Sequence, residues 1–115
     1  MKGFNCVQMG GFLTRDPELR YAQNGTPVCT FGLAVNGIDL EEKNPTVVYI
    51  DVVSWHKQAE ACAKHLIKGR LVLVEGRLAM RRWADRFQVE KVHYEIMARA
   101  VHFVQPQVNV EVAMD

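Results

Sequence analysis

The segment Arg81-Arg82-Trp83-Ala84-Asp85-Arg86-Phe87 interleaves two aromatics with three arginines. That mix suits a ligand offering both negative charge and flat apolar faces. Single-stranded nucleic acid offers both. Arg and Lys neutralise phosphates, and aromatics stack on bases at about 1–3 kcal/mol per base. The segment lies in a wider basic stretch. Residues 64–91 hold eight cations (Lys64, Lys68, Arg70, Arg77, Arg81, Arg82, Arg86, Lys91) against Glu75, Asp85 and Glu90, a net +5. Residues 1–63 and 92–115 each net −2, so the whole chain sums to only +1. A polyanion meets the local field, not the sum. The competing reading is a solvated basic face with Trp83 packing locally.

Other chemistries find less support. Cys6, Cys29 and Cys62 are odd in number and widely spaced, which predicts reduced thiols in a cytoplasmic setting. Cys62 and His65 could share a helix face, but no second Cys/His pair completes a zinc set, so no metal is expected. Asp16, Asp51, Glu75 and Asp85 are scattered, with no nucleophile elbow, so neither an enzyme nor a cofactor is expected.

The elements that must position these residues are mostly strands. The chain has 115 residues, 49% hydrophobic and 23% charged, which fits one globular domain with one core. No apolar run approaches the ~20 residues of a membrane helix, and the N-terminus shows no signal-peptide core. Phe4 to Leu13 alternates and ends in the turn signal Thr14-Arg15-Asp16-Pro17. Asn24-Gly25 marks a tight turn before a strand over Val28 to Val35, with Cys29, Phe31, Leu33 and Val35 on one face. Asn36 to Thr46 is polar and reads as a loop. Val47 to Trp55 reads as a third strand. His56 to Lys68 switches to helical spacing, with Gly69 as its stop. Leu71 to Leu78 is a fourth strand, and Gly76 inside it predicts a bulge or bend. Arg81 to Lys91 reads as a loop or ribbon, and Val92 to Val104 as a long fifth strand ended by Pro106. Five strands with one helix between the third and fourth give an all-β fold with the element order of an OB-fold barrel.

On the third strand Tyr49, Asp51, Val53 and Trp55 share one face, and Asp51 marks it as the wet one. An aromatic pair there is a stacking surface or an oligomer contact. Stacking is favoured, because OB folds bind nucleic acid in this strand's neighbourhood.

Ordered motifs then point to a family. They are Gly11-Phe12-Leu13-Thr14-Arg15-Asp16-Pro17-Glu18-Leu19-Arg20-Tyr21, Asn24-Gly25, Phe31 with Leu33-Ala34-Val35-Asn36, and Val53-Ser54-Trp55-His56-Lys57-Gln58-Ala59-Glu60. Leu66-Ile67-Lys68-Gly69, Val74-Glu75-Gly76-Arg77-Leu78 and Arg81-Arg82-Trp83 follow. Over about residues 3 to 104 the chain resembles the bacterial single-stranded DNA-binding protein family. The resemblance implies an OB fold and sequence-independent binding of single-stranded DNA in replication, recombination and repair. It also implies a homo-oligomer, with a tetramer favoured. By position it assigns Trp55, Trp83 and Tyr49 to base stacking, and Lys57, Lys68, Arg81 and Arg82 to phosphates. Arg77 and Arg86 join them from the local charge, and Phe87 as an extra stacking surface. The alternative is an OB-fold protein-interaction or primosome-type module using the same surface for a protein partner.

Three departures qualify the resemblance. Gly37-Ile38-Asp39-Leu40-Glu41-Glu42 stands where many members carry an aromatic or a cation. Phe87-Gln88-Val89-Glu90 lacks a glycine turn that many have. Residues 105–115, read as a short tail after a 1–104 binding domain, contain only Glu111 and Asp115 as acids. Recruitment of partner enzymes through an acidic tip is therefore not expected of them.

Overall fold

The computed structural model describes residues 3–104, so the expected tail lies outside the described residues. The elements are β1 (Val7–Leu13), β2 (Glu18–Tyr21), β3 (Pro27–Asp39), β4 (Asn44–Trp55), α1 (His56–His65), β5 (Leu71–Ala84) and β6 (Glu90–Phe103). The sheet order is β1-β5-β6-β4-β3-β2, and β1 also pairs with β3. That extra pairing closes β1, β5, β6, β4 and β3 into a five-stranded barrel, with β2 on the β3 edge. The helix lies between the third and fourth barrel strands. This is the OB-fold architecture expected from the element order.

Alternation builds the core. Cys29, Phe31 and Leu33 of β3, Val52 of β4, Val72 and Val74 of β5 and Ile96 of β6 are fully buried. Ala59, Cys62 and Leu66 pack onto the same cluster from the helix side. Two glycines allow the barrel to close. A Cβ at Gly11 would run into the Ala34 carbonyl, where β1 crosses β3. A Cβ at Gly76 would run into the Met97 carbonyl. The register slips beside Gly76: Glu75 pairs with Ala100 but Gly76 pairs with Ala98, leaving Arg99 as the bulged residue of β6.

The structure departs from the sequence expectations in three places. The segment read as a loop over 36–46 is largely the end of a long hairpin, and of the two readings given for 81–91, loop or ribbon, it is the ribbon that forms. Asp39 Oδ1 accepts from the backbone N–H of Glu41 and Glu42 at 2.9 and 3.2 Å. Asp85 Oδ1 accepts from Phe87 and Val89 at 2.8 and 3.0 Å. Each turn ends in a left-handed non-glycine residue, Lys43 (φ 58) and Gln88 (φ 62). The Asn24-Gly25 turn instead uses Gly25 (φ 86), as expected. Second, Glu18–Tyr21 forms a short strand on β3, pairing Glu18 with Thr30 and Tyr21 with Pro27. Third, the helix stops at His65 rather than Lys68. Leu66 turns extended (φ −98, ψ 147) and buries its side chain to 3% exposure. Gly69 (φ 87) then turns the chain so that its N–H donates to the Leu13 carbonyl at 2.8 Å.

Candidate nucleic-acid interface

The outer face of the adjacent strands β4, β6 and β5 collects five of the ten candidate residues, Tyr49, Trp55, Arg77, Arg81 and Trp83. Register and alternation set it. Asp51 and Val53 of β4 stand beside Glu95 and Met97 of β6. Met97, Glu95, His93 and Lys91 stand opposite Arg77, Ala79, Arg81 and Trp83 of β5. Trp55 lies at one end of this face and Trp83 at the other. Val53, two residues before Trp55, pairs with Met97, and Trp83 pairs with Lys91, so they are separated by about eight residues of β6, roughly 25 Å at ~3.3 Å per residue.

Trp55 is half-buried where β4 gives way to the helix. It caps the helix with extended backbone (φ −132, ψ 163), and His56 takes φ 62, so the chain swings sharply past the indole. A cavity of about 460 Å³ lies beside it, lined in part by Asn5, Cys6, Trp55, Arg77 and Arg99. A second hollow, of about 650 Å³, is bounded by Trp55, Lys57, Gln58 and Arg99. Of the sequence candidates, Arg77 thus lies beside Trp55 in the first hollow and Lys57 beside it in the second, and Arg99, not among the candidates, lines both. Asn5 fixes the rim: its amide exchanges two hydrogen bonds with the Leu78 backbone, at 2.8 and 2.9 Å.

Trp83 is 49% exposed on the β5–β6 ribbon, and Phe87 at the ribbon tip is 72% exposed. The Arg86 guanidinium lies 5.0 Å from the centre of the Phe87 ring, a cation–π contact. Tyr49 is 72% exposed and lines a third hollow with Arg15, Asp51, His93 and Tyr94.

The centre of the face is an ionic belt. Arg15 reaches Asp51 at 3.4 Å, and His93 lies 3.3 Å from Asp51 and 3.7 Å from Glu95. Arg81 Nε donates to Glu95 Oε1 at 2.6 Å. Arg81 thus faces the same side as Trp83 but is engaged by a buried carboxylate. Arg82, one residue on, points to the opposite face and lies 3.8 Å from Glu90. The contiguous Arg81-Arg82-Trp83 triplet is split across two faces by the two-residue period. Lys68 lies apart, after the helix, where its backbone N–H donates to Asp16 at 2.8 Å.

The wet-face reading of β4 holds for Tyr49 and Asp51 but not for Val53, which is 1% exposed. Cys62 and His65 are three apart on α1 but differ in burial. Cys62 is in the core with its thiol pushed up to about 11, chiefly by burial. His65 is exposed and lies 6.0 Å from the Phe103 ring.

Known sequences resemble the chain over most of its length. The chain is 39% identical over 107 residues to the single-stranded DNA-binding protein of Thermotoga maritima, covering 90% of this chain and 76% of the relative. It is 41% identical over 105 residues to that of Caldanaerobacter subterraneus, covering 90% and 69%. It is 39% identical over 104 residues to single-stranded DNA-binding protein A of Bacillus subtilis, covering 90% and 60%. The chain thus spans between 60% and 76% of these relatives' lengths. Residues 4–104, which include every strand and both tryptophans, match the single-strand binding protein family, and the chain belongs to it.

Proposed function

We propose that the chain binds single-stranded DNA without regard to sequence, protecting it during replication, recombination and repair in the cytoplasm. Residues 1–104 form the binding domain. Bases stack on Trp55, Trp83 and Tyr49, with Phe87 extending the path. Lys57, Arg77 and Arg86 track the phosphates, and Lys68, Arg81 and Arg82 contribute at the margins. The observation that carries this reading is the placement of Trp55 and Trp83 at opposite ends of one outer sheet face, each with arginines nearby. It is a binding role rather than a catalytic one. Assembly is as a homo-oligomer, with a tetramer favoured. Phe12, Leu71 and Leu73 leave an apolar patch on the outer β1–β5 surface, 53%, 36% and 40% exposed, which a second copy would cover.

A poly(dT) titration followed by tryptophan fluorescence, repeated over a salt series, tests the reading. Stacked indoles should be quenched, and affinity should fall steeply with salt. An unchanged signal, with stable binding of a protein partner instead, would favour the interaction-module alternative.

A further inference from the structure

The two hollows beside Trp55 share one wall. Trp55, Ala98 and Arg99 line both. Trp55 and Arg99 therefore form a ridge between them. The first hollow, about 460 Å³, is bounded on its far side by Cys6, Gly76 and Arg77. The second, about 650 Å³, opens toward Lys57 and Gln58. Both volumes fall in the roughly 300–1,000 Å³ range of small-ligand sites.

Arg99 reaches this ridge because it is the bulged residue of β6. A bulge re-aims a side chain that regular pairing would hold elsewhere. One guanidinium nitrogen is held by Glu75 at 2.9 Å, yet the side chain is 73% exposed. A guanidinium has five N–H donors in a fixed fork, so several remain for a ligand. Each hollow also has a cation of its own, Arg77 in the first and Lys57 in the second. Arg77 Nη2 donates to the Met97 sulfur at 3.7 Å.

We propose that the two hollows are successive nucleotide seats on one strand, with Arg99 holding the phosphate between them. Trp55 supplies the base-stacking wall of both seats. Glu75 acts as a positioning residue that orients the Arg99 fork. The proposal rests on the single-stranded DNA reading and adds to it a fixed register at this end of the face.

Cys6 allows a direct test. Cys29 and Cys62 are fully buried, with thiols pushed up to about 11 by burial. N-ethylmaleimide applied to the folded chain therefore reports on exposed Cys6. Saturating poly(dT) should slow Cys6 alkylation. Arg99→Gln should reduce the slope of log affinity against log salt by about 0.7, the share of one single-strand phosphate. Arg99→Lys should restore most of that slope. Suppose poly(dT) quenches the tryptophans but Cys6 reacts equally fast with and without it, or Arg99→Gln keeps the full slope. The seats are then overturned while DNA binding stands. Absence of any quenching or binding overturns the broader reading and the seats together. If Arg99→Gln folds poorly, Cys6 protection on the unmodified chain decides alone.

Discussion

Arg81 Nε stands 2.6 Å from Glu95 Oε1, and the two differ sharply in exposure, 56% against 8%. The arginine solvates a carboxylate that the sheet has taken out of water. Removing it leaves a buried charge without its main partner, while His93 at 3.7 Å compensates only in part. Arg81→Gln should therefore destabilise the fold by about 1–3 kcal/mol. Its effect on DNA binding should be smaller than that of Arg77→Gln, because Arg81 is already engaged. Urea melts and salt-dependent poly(dT) titrations on both variants check the two halves. A stable Arg81→Gln protein with a sharply reduced salt slope would show that Arg81 serves the phosphates instead.

Trp55 and Trp83 lie at opposite ends of the outer face, with the Arg15–Asp51–His93–Glu95–Arg81 belt between them. They share no partner, so their contributions should add. Trp55→Ala and Trp83→Ala should each weaken poly(dT) binding by about 1–3 kcal/mol. The double variant should match the sum to within about 0.5 kcal/mol. A double variant no weaker than either single would mean that one strand never spans both ends.

Some of this was legible in the sequence and some was not. Buried strands announce themselves: Cys29, Phe31 and Leu33 alternate because one face of β3 meets the core. The distal hairpin arms have water on both faces, so Asn36, Asn44, Pro45 and Thr46 carry no such pattern and read as loop. Trp55 and Trp83 stood out by residue type alone. The division of Arg81 from Arg82 required the strand assignment at 81–84, which the charged composition concealed. Arg99 was missed because it lies outside the +5 stretch, as a lone cation in the long fifth strand. Gly76 did signal a bend, but which residue the bend would expel depended on pairing between distant strands.

Gln88 holds a left-handed backbone at the tip of the β5–β6 ribbon. Its N–H donates to the Asp85 carbonyl at 2.9 Å, and Asp85 N–H donates to the Val89 carbonyl at 3.0 Å. This is a three-residue hairpin loop whose last position favours glycine. A non-glycine residue there costs about 1–2 kcal/mol, offset in part by the entropy glycine loses on folding. Gln88→Gly should stabilise the chain by about 0.5–1 kcal/mol, seen as a rise in Tm. Asp85→Ala should lower Tm, because it deletes two backbone caps. An unchanged Tm in both variants would mean that the tip melts before the barrel and does not limit its stability.

Glu75 links the barrel's stability to pH. A hydrogen bond with His102 holds its carboxyl below the ordinary glutamate value, burial opposes this, and the Arg99 charge adds to the lowering. The contacts are 3.2 Å to His102 and 2.9 Å to Arg99, with Gln8 donating at 3.1 Å. A carboxyl depressed in the folded state stabilises the fold fully above its unfolded value. That contribution drains away as pH falls through the folded value. Glu75→Gln should therefore be less stable than the parent chain at neutral pH. The gap should narrow as the medium is acidified through the carboxylate range, giving the variant a shallower acid limb. Paired urea melts from neutral to acid pH measure it. A gap that stays constant with pH would assign the loss to packing and hydrogen bonding rather than to the charge on Glu75.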